Sequence, residues 1–360
     1  MKYKTVPAMP GLSFSAVGFG CWGISGSDFW NGTTDAESIR TVQTAVDLGI
    51  NLFDVAPVYG LGHAEEILGQ ALKGRRHEVI IASKCGLVWD EDKNISLNLK
   101  KASLMQEIDD SLRRLQTGYI DIYQMHWADP DTPEEESMEA LEAIKASDKI
   151  RHIGVTNFSL ERTKRCMSAG TITSHQGLYN LLEHNPTHYH NIPLEYRTSD
   201  EVLPFCAENG LAFFPYSPLF QGLLTEAFKA TDNFDENDAR AANPKLNGNT
   251  FDTYFTIATK IRELSAEIGQ PVNQLAINWL INQDAVTSVI AGGQTVEHVT
   301  QNAAAASWDL SNDVIALIDQ ILAPHQVSGL AVSYPPLPLP PIPSVQLPVV
   351  ALTPQPTPLP

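Results

Sequence analysis

The sequence predicts a (β/α)8 TIM barrel with a short N-terminal hairpin and a Pro-rich C-terminal tail. Three observations carry the prediction. Eight apolar runs alternate with helical stretches over roughly 300 residues, the count and span of a parallel barrel ringed by helices. Three successive runs end in polar groups: "NLFDVAPVYG" in Asp54 with Tyr59 just beyond, "EVIIASK" in Lys84, and "YIDIYQMH" in His126. The first strand–helix turn, "GFGCWGISG", lacks the G-x-G-x-x-G spacing of an open dinucleotide-binding sheet.

Taken in order, Tyr3 to Phe14 carries Pro7, Pro10 and Gly11 and suits a hairpin. "SAVGFG" reads as strand one, and "TTDAESIRTVQTAVDLG" as a helix capped by Thr33 or Thr34 and stopped at Gly49. The strand to Asp54 precedes a helix over "AEEILGQALKG". The strand to Lys84 precedes one over "KASLMQEIDDSLRRL", whose apolar residues recur at helical spacing. The strand to His126 leads through "ADPDTPEE" into a helix ending near Ser147. "RHIGVTN" is strand five, with a helix after Ser159, and "SHQGLYN" is strand six. A polar stretch from Glu183 to Arg197 delays the next helix, near "SDEVLPFCAENG". "LAFFPYS" is strand seven, followed by a long excursion that includes "PVNQLAINWLINQ". "TSVIAGG" is strand eight, and its helix starts at Thr295. The barrel is assigned to residues 1–325 and the tail to 326–360. From Pro335 to Pro360 eleven of 26 residues are proline and none is charged, so helix and sheet ladders are forbidden and the tail is expected to be unstructured. A docking role for a proline-binding partner is the less favoured reading.

A formal net charge of −18 argues against nucleic acid or an anionic membrane as the main partner, because both call for a basic face. Cys21, Cys85, Cys166 and Cys206 are scattered without a CxxC pair, which fits reduced thiols and a cytoplasmic location. The N-terminus shows no apolar signal region, and no apolar run is long enough to span a bilayer. His184, His188 and His190 suggest a metal cluster, but Pro186 denies them a helix face, so no metal is expected. Cys85, beside Lys84, reads as an inert buried thiol.

In a parallel barrel, groups at the carboxyl ends of strands form the functional rim. A phenol is a poor acid at neutral pH unless a cation stabilises its anion. Lys84 can supply that cation, Asp54 can balance it, and His126 can orient a carbonyl above Tyr59. The set suits proton delivery to an oxygen whose carbon is under attack by a hydride, the chemistry of a nicotinamide cofactor.

The motifs "NLFDVAPVYG", "IIASK", "YIDIYQMHWADP", "KIRHIGVTNFS", "PYSPLFQGLL" and "IAGGQTVEHVTQN" resemble the aldo-keto reductase superfamily, in order, from about Thr5 to Leu322. The likeness is nearest to its bacterial general-stress and inositol-operon type. The resemblance implies a catalytic tetrad of Asp54, Tyr59, Lys84 and His126, with Tyr59 as general acid. It implies that Thr156, Asn157 and Gln176 hold the nicotinamide carboxamide and that Tyr216 stacks on the ring. It places Ser217, Leu219, Gln221, Gly222 and Leu224 along the pyrophosphate. The adenosine end falls along Gly292, Gln294, His298, Gln301 and Asn302. Trp22, Trp89 and Trp127 fall on loops that line the substrate pocket in relatives. NADP(H) is the expected cofactor, with NAD(H) as the alternative, and the expected substrate is a small carbonyl compound or sugar.

Three departures stand out. Gln294 stands where many relatives place Lys or Arg against the 2′-phosphate, which weakens the charge-assisted case for NADP; His298 is the nearest compensating group. Ala64 stands where close relatives often have Ser. Residues 185–197 look inserted after strand six and are expected on the rim near cofactor or substrate. The expected activity is reversible NAD(P)H-dependent reduction of aldehydes or ketones by a monomeric or weakly associating enzyme. The alternatives are a nucleotide-sensing regulatory subunit, like the potassium-channel β subunits, or a sugar or polyol dehydrogenase.

Overall fold

Eight short parallel strands close a ring. They are β1 (Val17–Gly20), β2 (Leu52–Asp54), β3 (Ile80–Cys85), β4 (Ile120–Met125), β5 (Ile150–Thr156), β6 (Ile172–Leu178), β7 (Ala212–Tyr216) and β8 (Val289–Gly292). The structure, a computed structural model, describes residues 1–26, 33–229, 234, 240–241 and 243–323, the side chains of 248 and 249 excepted. The expected tail, 326–360, lies outside the described residues. Neighbouring strands pair in the order β7-β6-β5-β4-β3-β2-β1-β8. The ring is completed by a bridge between Phe213 and Val286. Thr287 adds two bonds there: its N–H donates to Phe213 O at 2.9 Å, and its Oγ1 accepts from Phe213 N at 3.1 Å.

The barrel interior is an apolar plug of Leu52, Ile80, Ala82, Ile122, Ala212, Phe214 and Ile290. Met9 and Phe14 join it from the N-terminal hairpin, in which Tyr3–Lys4 pairs with Phe14–Ser15. Each such fully buried side chain contributes about 1.5–3 kcal/mol, so this hairpin is a working part of the core. One polar layer interrupts the plug. Gln124 and Ser174 converge over Gly154, where an added Cβ would collide with both side chains. Glycine is required at that close approach.

The outer helices are α1 (Asp35–Asp47), α2 (His63–Ala71), α3 (Lys101–Leu115), α4 (Glu134–Ala146), α5 (Leu160–Ala169), α6 (Leu203–Asn209), α7 (Gly248–Glu267), α8 (Val272–Ile281), α9 (Val296–Ala304) and α10 (Asn312–Leu322). Thr34 caps α1 in a reciprocal capping box with Glu37. Ser159 caps α5 and Thr295 caps α9, as their positions before apolar periodic runs predict. Strand six begins at Ile172, two residues earlier than expected, because Ile172 already pairs with Ile153 of β5. The stretch expected to be an insertion, 185–197, contains a second hairpin in which His188–Tyr189 pairs with Ile192–Pro193. None of the described helices is long and apolar enough to cross a membrane.

A buried charged network backs the strand that carries Lys84. Glu65 of α2 accepts from Ser83 Oγ and from Arg114 Nε of α3, each at 2.7 Å. Glu107 of α3 accepts from Gly86 N–H at 2.9 Å and Ser103 Oγ at 3.0 Å. Burial outweighs these donors and pushes the Glu107 carboxyl up to about 7 from 4.5. A carboxyl raised on folding keeps a proton that the unfolded chain releases, so stability falls as pH rises between those values. One such group amounts to about 3 kcal/mol over the window. Glu107→Gln keeps an acceptor for Gly86 and cannot ionise. Denaturant titrations of that variant are expected to show a flatter pH dependence and a gain over wild type at pH 8; an unchanged slope would overturn the assignment.

Candidate active site

Asp54, Lys84 and His126 lie at or just beyond the carboxyl ends of β2, β3 and β4, and the turn after β2 brings Tyr59 to the same rim. That turn depends on Gly60, whose φ is +66° and whose absent Cβ would strike the Ser25 carbonyl. Lys84 Nζ donates to Asp54 Oδ1 at 2.7 Å, to Val55 O at 3.1 Å and to Tyr59 OH at 3.2 Å. The ammonium is 1% exposed, so its three acceptors replace the water it has lost. The Tyr59 ring meets Trp22 edge-on at 4.9 Å and His126 at 6.0 Å between centroids.

Burial raises the Tyr59 phenol well above its ordinary range, with the Asp54 charge adding to the effect. The lysine contact does not reverse that direction, so the resting group is a neutral phenol able to donate. Burial, and then the Lys84 charge, pushes the His126 imidazole well below its usual range. It is therefore neutral at physiological pH, with one nitrogen a donor and the other an acceptor.

Gln176 of β6 reaches across the mouth of the barrel and donates from Nε2 to Asp54 Oδ1 at 2.9 Å. Its Oε1 accepts from Thr156 Oγ1 at 3.2 Å. Asn157 follows β5 with φ +62°, a left-handed conformation that asparagine tolerates better than most residues. Its Nδ2 donates to His126 O at 3.3 Å, and its Oδ1 accepts from Tyr216 OH at 2.8 Å. The tetrad, Thr156, Asn157, Gln176 and Tyr216 thus form one connected cluster.

The other sequence-predicted residues form two groups beside it. Ser217 and Gln221 both have left-handed backbone in the turn after β7, and Gly222 has φ +98°. Leu219 is half-buried there and Leu224 fully buried. Gln221 Oε1 accepts from Asn243 Nδ2 at 2.7 Å, and Gln221 Nε2 lies 2.9 Å from His190 Nε2. Burial brings His190 down to about 4, so its neutral ring can accept that bond. The second group lies at the end of β8, where Gly292 pairs with Gly20 of β1. A Cβ on Gly292 would find only Gly20 O, at 3.9 Å, among the described residues, whereas one on Gly20 would press on the Ile290 side chain at 3.0 Å, so the open face is at Gly292. The N-terminus of α9, with His298 in its first turn, follows directly. Asn302 Nδ2 donates to Gly292 O at 3.0 Å, whereas Gln301 Oε1 is taken by Gln274 Nε2 of α8 at 2.9 Å.

Trp22 and Trp127 border the cluster; Trp127 lies 6.4 Å from Tyr189. Trp89 shares an apolar patch with Tyr59 and Trp127, and its ring also faces the Arg114 guanidinium at 5.8 Å. Ala64 is fully buried in α2. The three histidines diverge. His184 stacks on Trp279 at 4.9 Å, His188 lies 3.0 Å from Thr187 Oγ1, and His190 faces Gln221. Among the described residues no three groups could hold a metal ion. All four cysteines are free and buried, and burial raises the Cys85 thiol well above its usual range.

Sequence reasoning did not single out Tyr189 and Tyr196, both in the segment 185–197. Tyr189 lies edge-on to Tyr216 at 5.5 Å. Tyr196 is buried, and its hydroxyl donates to Asn157 Oδ1 at 3.1 Å. A shallow cleft runs between this segment and the turn after β7, lined by Asn180, Glu183, Tyr189, His190, Ser217 and Gln221 among others.

Residues 16–323 match the model of the aldo/keto reductase family. The aldo-keto reductase YhdN of Bacillus subtilis is 33% identical over 89% of this chain and 94% of its own. The NADH-specific methylglyoxal reductase of Escherichia coli is 32% identical over 84% and 92%. Among solved structures, the glycerol dehydrogenase AKR11B4 of Gluconobacter oxydans superposes with a TM-score of 0.79 at 31% identity, covering 94% of this chain and 98% of that one. An aldo/keto reductase of Klebsiella pneumoniae, solved with NADP and acetate, gives 0.64 at 28% identity, covering 86% and 92%. The family match spans the barrel from β1 to α10, and on it this chain belongs to the aldo/keto reductase family of oxidoreductases.

Proposed function

We propose that this chain reduces aldehydes or ketones to alcohols, reversibly, with a nicotinamide dinucleotide bound along the rim and Tyr59 as proton donor. The observation that carries the reading is the position of Lys84 Nζ, which holds Asp54 at 2.7 Å and Tyr59 at 3.2 Å in one buried cluster. The residues fit the cofactor. Asn157 and Gln176 offer amide groups beside the tetrad, Gly292 at the end of β8 gives backbone access, and the α9 N-terminus favours an anion. Thr156, Asn157 and Gln176 would hold its carboxamide, Tyr216 its ring, the turn from Ser217 to Leu224 its pyrophosphate, and Gly292 to Asn302 its adenosine end.

The bound cofactor supplies a hydride in reduction. The protein supplies the proton and the geometry. Neutral His126 donates a hydrogen bond to the carbonyl oxygen and turns it toward Tyr59. As negative charge builds on that oxygen, the Tyr59 hydroxyl delivers its proton. Lys84 stabilises the phenolate left behind, and Asp54 holds Lys84 in place. Trp22, Trp127 and Tyr189 would wall the substrate side of the rim with apolar rings.

NADP(H) is the favoured cofactor, in line with the NADP held by the Klebsiella relative. One observation favours NAD(H): Gly292 to Asn302 carries no Lys or Arg, and Glu297 sits in the first turn of α9. The Escherichia coli relative is named NADH-specific. A second reading, a polyol dehydrogenase working in the oxidative direction, is favoured by the likeness to a glycerol dehydrogenase. Parallel titrations with NADPH and NADH, then a panel of short aldehydes, ketones and polyols followed at the reduced-nicotinamide absorbance band, test the reading. Saturable binding of at least one nucleotide and turnover with a short carbonyl compound are expected. Absence of both would sink it.

A further inference from the structure

We propose that Tyr196 is a positioning residue for the cofactor: its hydroxyl, with the His126 carbonyl at the other end, fixes which way the Asn157 side-chain amide faces. The proposal rests on the reading that the rim takes a nicotinamide dinucleotide. The Leu178 backbone N–H can only donate, and it donates to Tyr196 OH at 3.0 Å. The hydroxyl accepts there, and its own proton goes to Asn157 Oδ1, 3.1 Å away. The Asn157 atom there must be the amide oxygen. At the other end of the side chain, His126 O can only accept, so the atom 3.3 Å from it must be Nδ2. Both ends demand the same orientation.

Tyr216 OH also donates to that oxygen, at 2.8 Å, but no N–H constrains which way its proton points. Tyr196 and the His126 carbonyl therefore hold the amide from its two ends. Tyr196 is 3% exposed, at the end of the segment 185–197, and so is held by the core rather than by solvent. Nδ2 carries two N–H bonds. One goes to His126 O, and the second has no acceptor among the described residues. With the amide fixed, this second N–H is presented to a ligand without an ordering cost at binding.

Tyr196→Phe keeps the ring and removes the hydroxyl. It leaves one buried N–H unsatisfied, a small loss against the stability of a folded chain, so the variant is expected to fold. Affinities for NADPH or NADH, whichever wild type binds, are measured by quenching of tryptophan fluorescence. The same titration with the adenosine diphosphate half of that cofactor reports on the other end of the site. Tyr196→Phe is expected to weaken the whole cofactor roughly three- to tenfold and the adenosine half less than about twofold. In an Asn157→Ala background the same change is expected to add nothing. Asn157→Asp, a second and independent variant, places an acceptor against His126 O and offers the ligand no N–H. It is expected to bind the whole cofactor more weakly than Asn157→Ala. Equal losses for whole and half cofactor, additive losses in the cycle, or wild-type affinity in Asn157→Asp would each overturn the proposal. A wild-type protein that binds no nucleotide overturns instead the functional reading beneath it.

Discussion

Tyr59→Phe is expected to lower carbonyl reduction by roughly 10²- to 10⁴-fold, the range for loss of a positioned general acid. Cofactor affinity should stay within a few-fold, because the ring against Trp22 is retained and only the hydroxyl on Lys84 is lost. The two measurements together locate the effect in the chemical step. Loss of turnover with loss of binding would point to a collapsed rim, and unimpaired turnover would remove Tyr59 from the mechanism. The direction of the phenol's shift sharpens the expectation. A raised pKa keeps the proton on Tyr59 at neutral pH, so reduction has its donor ready. Reversed, the reaction needs that proton gone, so alcohol oxidation by the wild type should accelerate as pH rises.

Lys84→Met is the second large effect, and it acts on stability as well as on turnover. The substitution leaves the Asp54 carboxylate, 6% exposed, with Gln176 Nε2 as its remaining side-chain donor. Removing one partner of a buried pair costs about 3–5 kcal/mol, a fall in melting temperature of roughly 4–8 °C for a barrel of this size. Adding Asp54→Leu replaces both charges by apolar groups and is expected to restore most of that loss. Activity should remain absent in single and double variants, because neither supplies a cation to the Tyr59 hydroxyl. Recovery of melting temperature without recovery of turnover separates the two roles of the pair. A double variant no more stable than Lys84→Met would mean that the site stores no uncompensated charge.

The strand ends were legible because each is a local pattern: an apolar run with one polar residue at its close. Asp54, Lys84 and His126 needed no knowledge of the rest of the chain to be suspected. The bond from Gln176 to Asp54 was not legible in that way. It joins β6 to β2 across the barrel mouth, and only closure of the ring brings them together. Tyr189 and Tyr196 escaped for a different reason. Their segment has neither helical nor strand periodicity, and its hairpin pairs just two residues on each side. A tyrosine there is indistinguishable in sequence from a surface ring until the fold shows Tyr196 buried against Asn157. The helix caps were legible to within a residue, since Thr34, Ser159 and Thr295 stand where a side-chain oxygen must meet free N–H groups.

The ring of strands has a grain. Seven of its joints are ladders, while β7 meets β8 through the Phe213–Val286 bridge and the two bonds to Thr287. Local opening costs least where the fewest backbone bonds must break, so this seam is where the barrel yields first. Tyr216 stands at the upper end of one bordering strand and Gly292 at the upper end of the other. A dinucleotide lying from the first to the second, as proposed above, crosses the seam as a clasp. Cohesion of the barrel and occupancy of the rim are then one linked equilibrium, and what the cell supplies as cofactor also serves as a brace.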